Sequence, residues 1–130
     1  MTQNDHLASV LSSIQNYAAL GKSLLRTPHS SRIIKQVLDI MASHGYVGSY
    51  EEAADAKGAS LSINLLGTIN KTGVIKPRFA VKTDQFEKWE RRFLPAKSFG
   101  LLIVSTTKGF MTVAEAKKQG LGGRLISYCY

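Results

Sequence analysis

The spacing of apolar residues changes from a helical period to a strand period within the first half of this 130-residue chain. Apolar side chains recur every three or four positions over residues 7–18 and 33–41, which predicts two amphipathic helices. Over Leu61–Leu66, apolar and polar residues alternate as in a half-buried strand, and Tyr46–Glu51 is predicted to be a second strand. Residues 53–59 between them are predicted to be a hairpin loop. Because two amphipathic helices need a sheet to cover, the first half is predicted to form an α/β unit.

Residues that favour helix ends flank both predicted helices. Asn4 and Asp5 precede the first helix and can accept hydrogen bonds from its free amides, while Gly21 ends its pattern. The second helix is predicted to begin after residue 30 or 31 and to stop at Gly45, which suits a left-handed C-terminal position. His44, next to that glycine, is predicted to be a cap.

A glycine-containing stretch at residues 67–73 is predicted to separate two domains, residues 1–70 and 71–130. After it, Val74–Lys82 is predicted to be extended. Pro77 permits only an edge or bulged strand there, because proline cannot donate a ladder hydrogen bond.

Two short helices and two strands are predicted in the rest of the second half. The first helix ends before residue 95 and carries its aromatic residues on one face: Phe86, Trp89 and Phe93. A strand at Leu101–Val104 is followed by a turn and by a second helix, for which Thr112 and Glu115 have the capping-box spacing. The chain ends in a strand over residues 125–130. The predicted fold class is therefore α+β, with an N-terminal α/β unit of two helices on a small sheet and a basic, β-rich C-terminal unit with two short helices.

Positive charge is concentrated in the second half of the chain. Residues 1–65 hold five Lys and Arg and five Asp and Glu, whereas residues 66–130 hold twelve against four, so the net charge of +8 arises there. The apolar content of 44% is that of a globular protein, so this charge is predicted to lie on a folded surface. A polyanionic partner is favoured, and nucleic acid is the leading candidate.

The segment Ser105–Gly109, with the sequence STTKG, is the candidate contact site. Three consecutive hydroxyls can donate to phosphate oxygens or base edges, Lys108 supplies a point charge, and Gly109 lets the backbone approach closely. A polar hairpin loop without a ligand is the structural alternative. The aromatic residues of this half can stack on unpaired bases, but their spacing favours core packing: Phe79, Phe86, Trp89, Phe93, Phe99 and Phe110.

Enzyme and metal signatures do not match the chain. Gly21–Ser23 ends like a phosphate-binding loop but lacks the earlier glycine and follows a helix. Ser105 and Lys108 have the spacing of penicillin-recognising acyl enzymes, but Lys71–Gly73 stands in the wrong order for that class. No carboxylate or cysteine lies at ligand spacing from the three histidines, His6, His29 and His44. An ATPase or GTPase, an acyl enzyme of that class and a metal or acid–base role of the histidines are therefore not favoured, and no metal or cofactor is expected.

The compartment is predicted from weaker signals. Cys129 is the single cysteine, which excludes an internal disulfide and fits a reducing compartment, and it is predicted to act as a small apolar residue. The first ten residues lack the pattern of a secretory signal, and no apolar run approaches the roughly 20 residues of a membrane span. A soluble, cytosolic protein is predicted.

The chain resembles the small-subunit ribosomal protein family universally numbered eight, in its archaeal and eukaryotic form, over its full length. The C-terminal motifs that carry the resemblance are Gly73–Phe79, Glu87–Trp89, Leu94–Pro95, Phe99–Met111, Glu115–Lys117 and Gly122–Gly123. The N-terminal match is looser and rests on Ile14, Asn16, Gly21–Lys22, Ser31 and His44–Tyr46. The chain departs from the family where Pro28 stands one residue early, where Arg32 replaces lysine, and where Phe110 replaces a smaller aliphatic residue.

The resemblance implies an N-terminal α/β domain, a β-rich C-terminal domain, and binding to a stem in the central domain of small-subunit rRNA during assembly. It implies no catalysis, neighbouring ribosomal proteins as further partners, a cytoplasmic ribosomal location, no membrane and no homo-oligomer. The implied RNA contacts are Ser105, Thr106, Thr107, Lys108, Gly109, Gly122, Gly123, Arg124, Lys117, Lys118, Lys76, Arg78, Lys97, Ser31 and Arg32. A-form RNA hides base edges in a deep major groove, so the hydroxyl turn is expected to work on the minor groove.

Two rival functions stay open at this point. A small enzyme using Ser105 and Lys108 would be labelled by an acyl or fluorophosphonate probe. A free regulator that binds messenger RNA or a protein away from the ribosome would not cofractionate with small subunits.

Overall fold

A computed structural model describes residues 6–55, 58–76, 78–96 and 99–130. The chain divides into two compact units, residues 1–72 and 73–130. Whether these units are separate domains with a boundary near residue 70 stays a prediction. The predicted cap at Asn4 and Asp5, the role of Pro77 and the contact at Lys97 fall outside the described residues.

The first unit packs two helices on a three-stranded antiparallel sheet. In chain order its elements are α1 at His6–Ala19, β1 at Leu24–Thr27, α2 at Arg32–Ser43, β2 at Val47–Asp55 and β3 at Gly58–Leu65. The strand order is β1-β3-β2. Both helices bury the apolar stripes expected of them: Leu7, Val10, Leu11 and Ile14 on α1, and Ile34, Val37, Leu38 and Met41 on α2. The predicted helix-on-sheet unit is confirmed.

The ends of α2 follow the predicted capping pattern. The Ser31 hydroxyl accepts a hydrogen bond from the Ile34 backbone N–H at 3.2 Å, which satisfies one free amide of the first turn. His44 is the C-terminal cap residue, and its Nδ1 lies 3.0 Å from the Ile40 carbonyl oxygen. Gly45 follows with a φ of 78°, in the left-handed region that glycine favours. The predictions for these helix ends are confirmed.

Two strand predictions in this unit are corrected. Strands β2 and β3 run through most of residues 53–59, with Asp55 paired to Gly58, so the predicted hairpin loop is too long. The small residues of this segment do not alternate between apolar and polar, so spacing predicts no strand. Their backbone N–H and C=O groups nevertheless pair with the opposite strand. Strand β1 was not predicted, because four residues between polar segments give too short a pattern.

The second unit contains a five-stranded antiparallel sheet and two helices. In chain order its elements are β4 at Thr72–Val74, β5 at Ala80–Val81, α3 at Phe86–Phe93, β6 at Leu101–Thr106, β7 at Gly109–Thr112, α4 at Val113–Gln119 and β8 at Gly123–Cys129. The strand order is β4-β8-β6-β7, and β5 also pairs with β8. The predicted α+β fold is confirmed, although the described residues of Val74–Lys82 form strand segments only near the two ends of that range.

The core of the second unit lies between the sheet and its two helices. Phe86 is fully buried in this core. Phe79, Trp89 and Phe93 are partly buried and pack against it, in agreement with the predicted core packing. Phe99 is different, because 49% of its surface is exposed. Cys129 is fully buried, consistent with its predicted role as a small apolar residue.

Helix α4 begins where the capping pattern predicts. The Thr112 hydroxyl accepts from the Glu115 backbone N–H at 3.3 Å, and Gly120 ends the helix with a φ of 68°. The predicted turn before it is shorter than expected: Ser105 and Thr106 lie in β6, and Gly109 begins β7. Among the described residues, no helix is both long and apolar enough to cross a membrane.

Candidate nucleic-acid interface

The Thr106 hydroxyl stabilises the turn of the β6–β7 hairpin through two hydrogen bonds. Its hydroxyl donates to the Gly109 carbonyl oxygen at 2.9 Å and accepts from the Lys108 backbone N–H at 3.1 Å. Gly109 has a φ of 112°, a conformation that other residues rarely adopt. Since the single hydroxyl proton of Thr106 is used within the hairpin, this side chain can only accept from a ligand.

Ser105, Thr107 and Lys108 keep their polar atoms available. Ser105 is half-buried, whereas Thr107 and Lys108 are exposed. The two hydroxyls and the ammonium group make no hydrogen bond or ion pair within the described ranges. Each can therefore donate to a phosphate oxygen or a sugar hydroxyl without losing an internal bond.

Strand β8 brings a second predicted segment, Gly122–Arg124, against this hairpin. Arg124 pairs with Ser105 in β6 and with Ala80 in β5, so the three residues form one row across the sheet. Residues directly opposite in antiparallel strands share a face, which places the Arg124 side chain on the same face as the Ser105 hydroxyl.

Close packing accounts for the two glycines of this segment. A Cβ on Gly123 would lie 2.3 Å from the Ser105 carbonyl oxygen, and one on Gly122 would lie 2.8 Å from the Val81 carbonyl oxygen. Both distances are too short for a real side chain. The glycines thus let three strands approach each other, which is a structural role beside the RNA contact predicted for them.

These segments line one open groove with a volume of about 560 Å³. Its lining residues are Ala80, Val81, Lys82, Gln85, Ser105, Thr106, Thr107, Gly122, Gly123 and Arg124. Within the described part of the chain, that lining contains two cations and no carboxylate. Hydroxyl donors and positive charge on an open surface are the chemistry that a sugar–phosphate backbone requires.

The groove unites only part of the predicted contact set. It includes Ser105–Thr107 and Gly122–Arg124, whereas Lys108 and Gly109 lie just beyond it at the hairpin tip. It also contains Lys82 and Gln85, which sequence reasoning missed. Helical and strand periodicity gives no signal for them, because Lys82 precedes and Gln85 ends the 3₁₀ turn Thr83–Gln85 between β5 and α3.

The remaining predicted cations of this unit differ in their surroundings. Arg78 and Lys118 are exposed and make no ion pair with a described residue, and Lys76 is also exposed. Lys117 instead pairs with Glu90 of α3, with 2.5 Å between Nζ and Oε1. This bond compensates much of the Lys117 charge, which weakens its case as a phosphate contact.

In the first unit, the predicted contacts Ser31 and Arg32 lie at the start of α2. The Ser31 hydroxyl already accepts the capping bond from Ile34. Arg32 is exposed and has no ion pair among the described residues.

The surroundings of the histidines and of Ser105 bear on catalytic and metal-binding chemistry. No group of three or more His, Cys, Asp or Glu residues able to hold a metal occurs in the described ranges. The rings of His6 and His29 stack with their centroids 4.3 Å apart, a contact between distant segments that the sequence did not predict. The Ser105 hydroxyl has no described hydrogen-bond partner that could act as a base.

A second groove, of about 340 Å³, lies at the C-terminal end of α3. Its carboxylates are already engaged, because Glu87 pairs with Arg91 at 3.0 Å and Glu90 pairs with Lys117. The groove contains none of the predicted RNA contacts. Among the described residues, its lining contains two carboxylates and one cation, Arg91, so it lacks the positive surface of the first groove.

A protein-family comparison covers the residues that line both grooves. The model of the family described as ribosomal protein S8 matches residues 5–130, which is nearly the whole chain.

Proposed function

The chain belongs to the ribosomal protein S8 family, and on this premise we propose that it binds a stem in the central domain of small-subunit rRNA. As a member of that family, it is a ribosomal protein that binds rRNA in the small subunit and takes part in translation. The proposed role is structural: the bound protein supports folding of the stem and assembly of the subunit.

The groove between β5, β8 and the β6–β7 hairpin is the observation that carries this proposal. It combines hydroxyl donors with Arg124 and Lys82 on one open surface. The minor groove of A-form RNA is wide and shallow and displays sugar hydroxyls, so a protein edge with hydroxyls can bind there. Irregularities of the stem would then supply specificity through shape and displaced bases.

Within this proposal, Ser105 and Thr107 are the reading hydroxyls and Thr106 is a positioning residue. Ser105 and Thr107 can donate to 2′-OH groups or base edges, because no described residue forms a hydrogen bond with their hydroxyls. Thr106 holds the turn through its bonds to Gly109 and Lys108 and adds one acceptor toward the RNA.

The cations are proposed to hold the phosphate backbone without reading sequence. Arg124 lies in the groove and Lys108 at the hairpin tip. The outer set comprises Lys76, Arg78, Lys97, Lys117 and Lys118, with Ser31 and Arg32 in the first unit. Within that set, Lys117 is the weakest candidate because Glu90 already pairs with it.

The protein is associated with the ribosome. We propose a cytoplasmic location, neighbouring small-subunit ribosomal proteins as further partners, and no homo-oligomer. The family is structural and non-enzymatic. We extend this to the chain itself and expect an acyl probe to leave Ser105 unlabelled.

Hydroxyl-radical footprinting of small-subunit rRNA tests the proposal. The expected result is protection of one stem in the central domain, together with cofractionation of the protein with small subunits. Protection confined to another rRNA domain, or a protein that stays free of subunits, would refute it. The second outcome would favour a free regulator.

A further inference from the structure

We propose that Lys82 and Gln85 form a second RNA-contacting wall of the groove, facing the β6–β7 hairpin. In this inference, which rests on the proposed rRNA binding, Lys82 contacts a phosphate and Gln85 donates to the minor-groove edge or a 2′-OH. The groove thereby holds the RNA backbone from two sides rather than from the hairpin alone.

The backbone of this wall is fixed against β8. Val81 pairs with Gly123, and Gly122 packs so closely on Val81 that a Cβ would lie 2.8 Å from its carbonyl oxygen. Strand β8 separates β5 from β6, so two strand spacings, about 10 Å, lie between the two walls. That width accommodates a sugar–phosphate backbone, and Gly122 and Gly123 form the floor between the two walls.

Gln85 is oriented by its own backbone turn. Its Oε1 accepts from the Lys82 backbone N–H at 3.3 Å, and its backbone N–H donates to the Lys82 carbonyl oxygen at 2.9 Å. Because Oε1 is the acceptor, the side-chain NH₂ group is directed away from that bond. Its two protons have no acceptor among the described residues, and the residue is exposed in the groove.

Lys82 supplies the charge of this wall. It is exposed, lines the groove and makes no ion pair with any described residue. Arg124 lies in the neighbouring strand opposite Ala80, two residues before Lys82, so both cations line the same groove. A phosphate between them would meet positive charge from both sides, and its contact with Lys82 would release a counterion.

The salt dependence of RNA binding tests Lys82. We would compare Lys82→Gln with Lys88→Gln, which removes the same charge from exposed α3 outside the groove. Lys82→Gln should reduce the slope of log affinity against log salt by about one unit. The ratio of wild-type to variant affinity should then shrink about fourfold between about 50 and about 200 mM salt. A salt slope of Lys82→Gln equal to that of the wild type would overturn the phosphate contact. An equal reduction of the slope in Lys82→Gln and Lys88→Gln would overturn it as well.

Stem preference tests Gln85. Gln85→Glu keeps an oxygen acceptor for the Lys82 N–H but removes both side-chain donors. Gln119→Glu, at the exposed end of α4, makes the same charge change outside the groove. The affinity ratio between a central-domain stem and a regular duplex should fall several-fold only in Gln85→Glu. A ratio equal to that of Gln119→Glu would overturn the reading role.

Titration of the wild-type protein distinguishes a failure of the second wall from a failure of the proposed function. If the wild type prefers the stem while both groove variants behave like their controls, only the second wall is wrong. If the wild type shows no stem preference, the proposed function is contradicted and the second wall with it. Unchanged thermal unfolding midpoints establish that the variants are folded.

Discussion

Gly123 lies directly against the backbone of Ser105, where a Cβ would come within 2.3 Å of the Ser105 carbonyl oxygen. Gly123→Ala should therefore destabilise the protein by about 1–3 kcal/mol, because the strand must shift to admit the methyl group. Gly123 does not have a positive φ. At such a position Gly→Ala normally stabilises by about 0.4–1 kcal/mol, so a net loss reports the clash. Denaturant unfolding measures this, and wild-type stability of the variant would contradict the close approach.

Substitution of Thr106 should reduce the stability of the hairpin, whereas substitution of the adjacent Thr107 should reduce RNA recognition. Thr106→Val removes bonds to Gly109 and Lys108 and should cost about 1–2 kcal/mol of unfolding free energy. Thr107→Val removes a hydroxyl that no described residue uses, so stability should change by less than about 0.5 kcal/mol while stem preference falls. Unfolding curves and stem-versus-duplex titrations check the pair. Equal stability losses would refute the division of roles.

Lys108 and Lys117 should differ in their contribution to salt-dependent binding. Lys108→Ala should lower the salt slope by about one unit, because its ammonium group has no ion pair among the described residues. Lys117→Ala should lower it less, since Glu90 already compensates that charge. Titrations at several salt concentrations measure both slopes. Equal slopes would show that the Lys117–Glu90 pair opens on the RNA.

The ion pair between Lys35 and Glu52 predicts a pH effect in the first unit. The Lys35 ammonium group at 2.8 Å, with the Ser30 hydroxyl, lowers the pKa of Glu52 below its usual 4.5. A lowered folded-state pKa adds stability above the unfolded pKa and loses it as pH falls through the folded value. Because the pair is exposed, the effect is small and salt-sensitive.

Glu52→Gln provides the measurement for this pair. The variant should unfold slightly earlier than the wild type at neutral pH, and the difference should vanish as pH falls below the lowered pKa. If the difference in stability between Glu52→Gln and the wild type stays constant from neutral to acidic pH, the loss of stability does not come from the ionisation of Glu52.

Local sequence signals were sufficient for the helices. The caps at Ser31 and Thr112 depend on neighbouring backbone amides, and the buried stripes repeat at helical spacing. The short strands β1 and β7 lack such repetition, because a strand of four residues carries only two inward side chains. Strand β1 pairs with β3, which is distant in the chain, and β7 pairs with β6 across a two-residue turn, so both depend on a partner strand that spacing alone does not reveal.

The candidate site was predictable as a hydroxyl hairpin but not as a groove. Thr106 was predicted to face RNA, although its hydroxyl proton is used within the turn. Lys117 was predicted to hold phosphate, although Glu90, 27 residues earlier, pairs with it. Lys82 and Gln85 belong to the groove only because β5 pairs with β8. The bonds of Thr106 are local to the hairpin turn, whereas those of Lys117, Lys82 and Gln85 are set by contacts between segments whose local patterns are unrelated.

The most direct test of the account is a titration of the purified protein against a central-domain small-subunit rRNA stem and a regular duplex of equal length. Both titrations are run at low and near-physiological salt. The account predicts a preference for the stem that survives near-physiological salt, because hydroxyl contacts in the groove do not depend on counterion release. Equal binding to both RNAs that disappears with salt would contradict it, since the positive surface would then act only as a general attraction for polyanions.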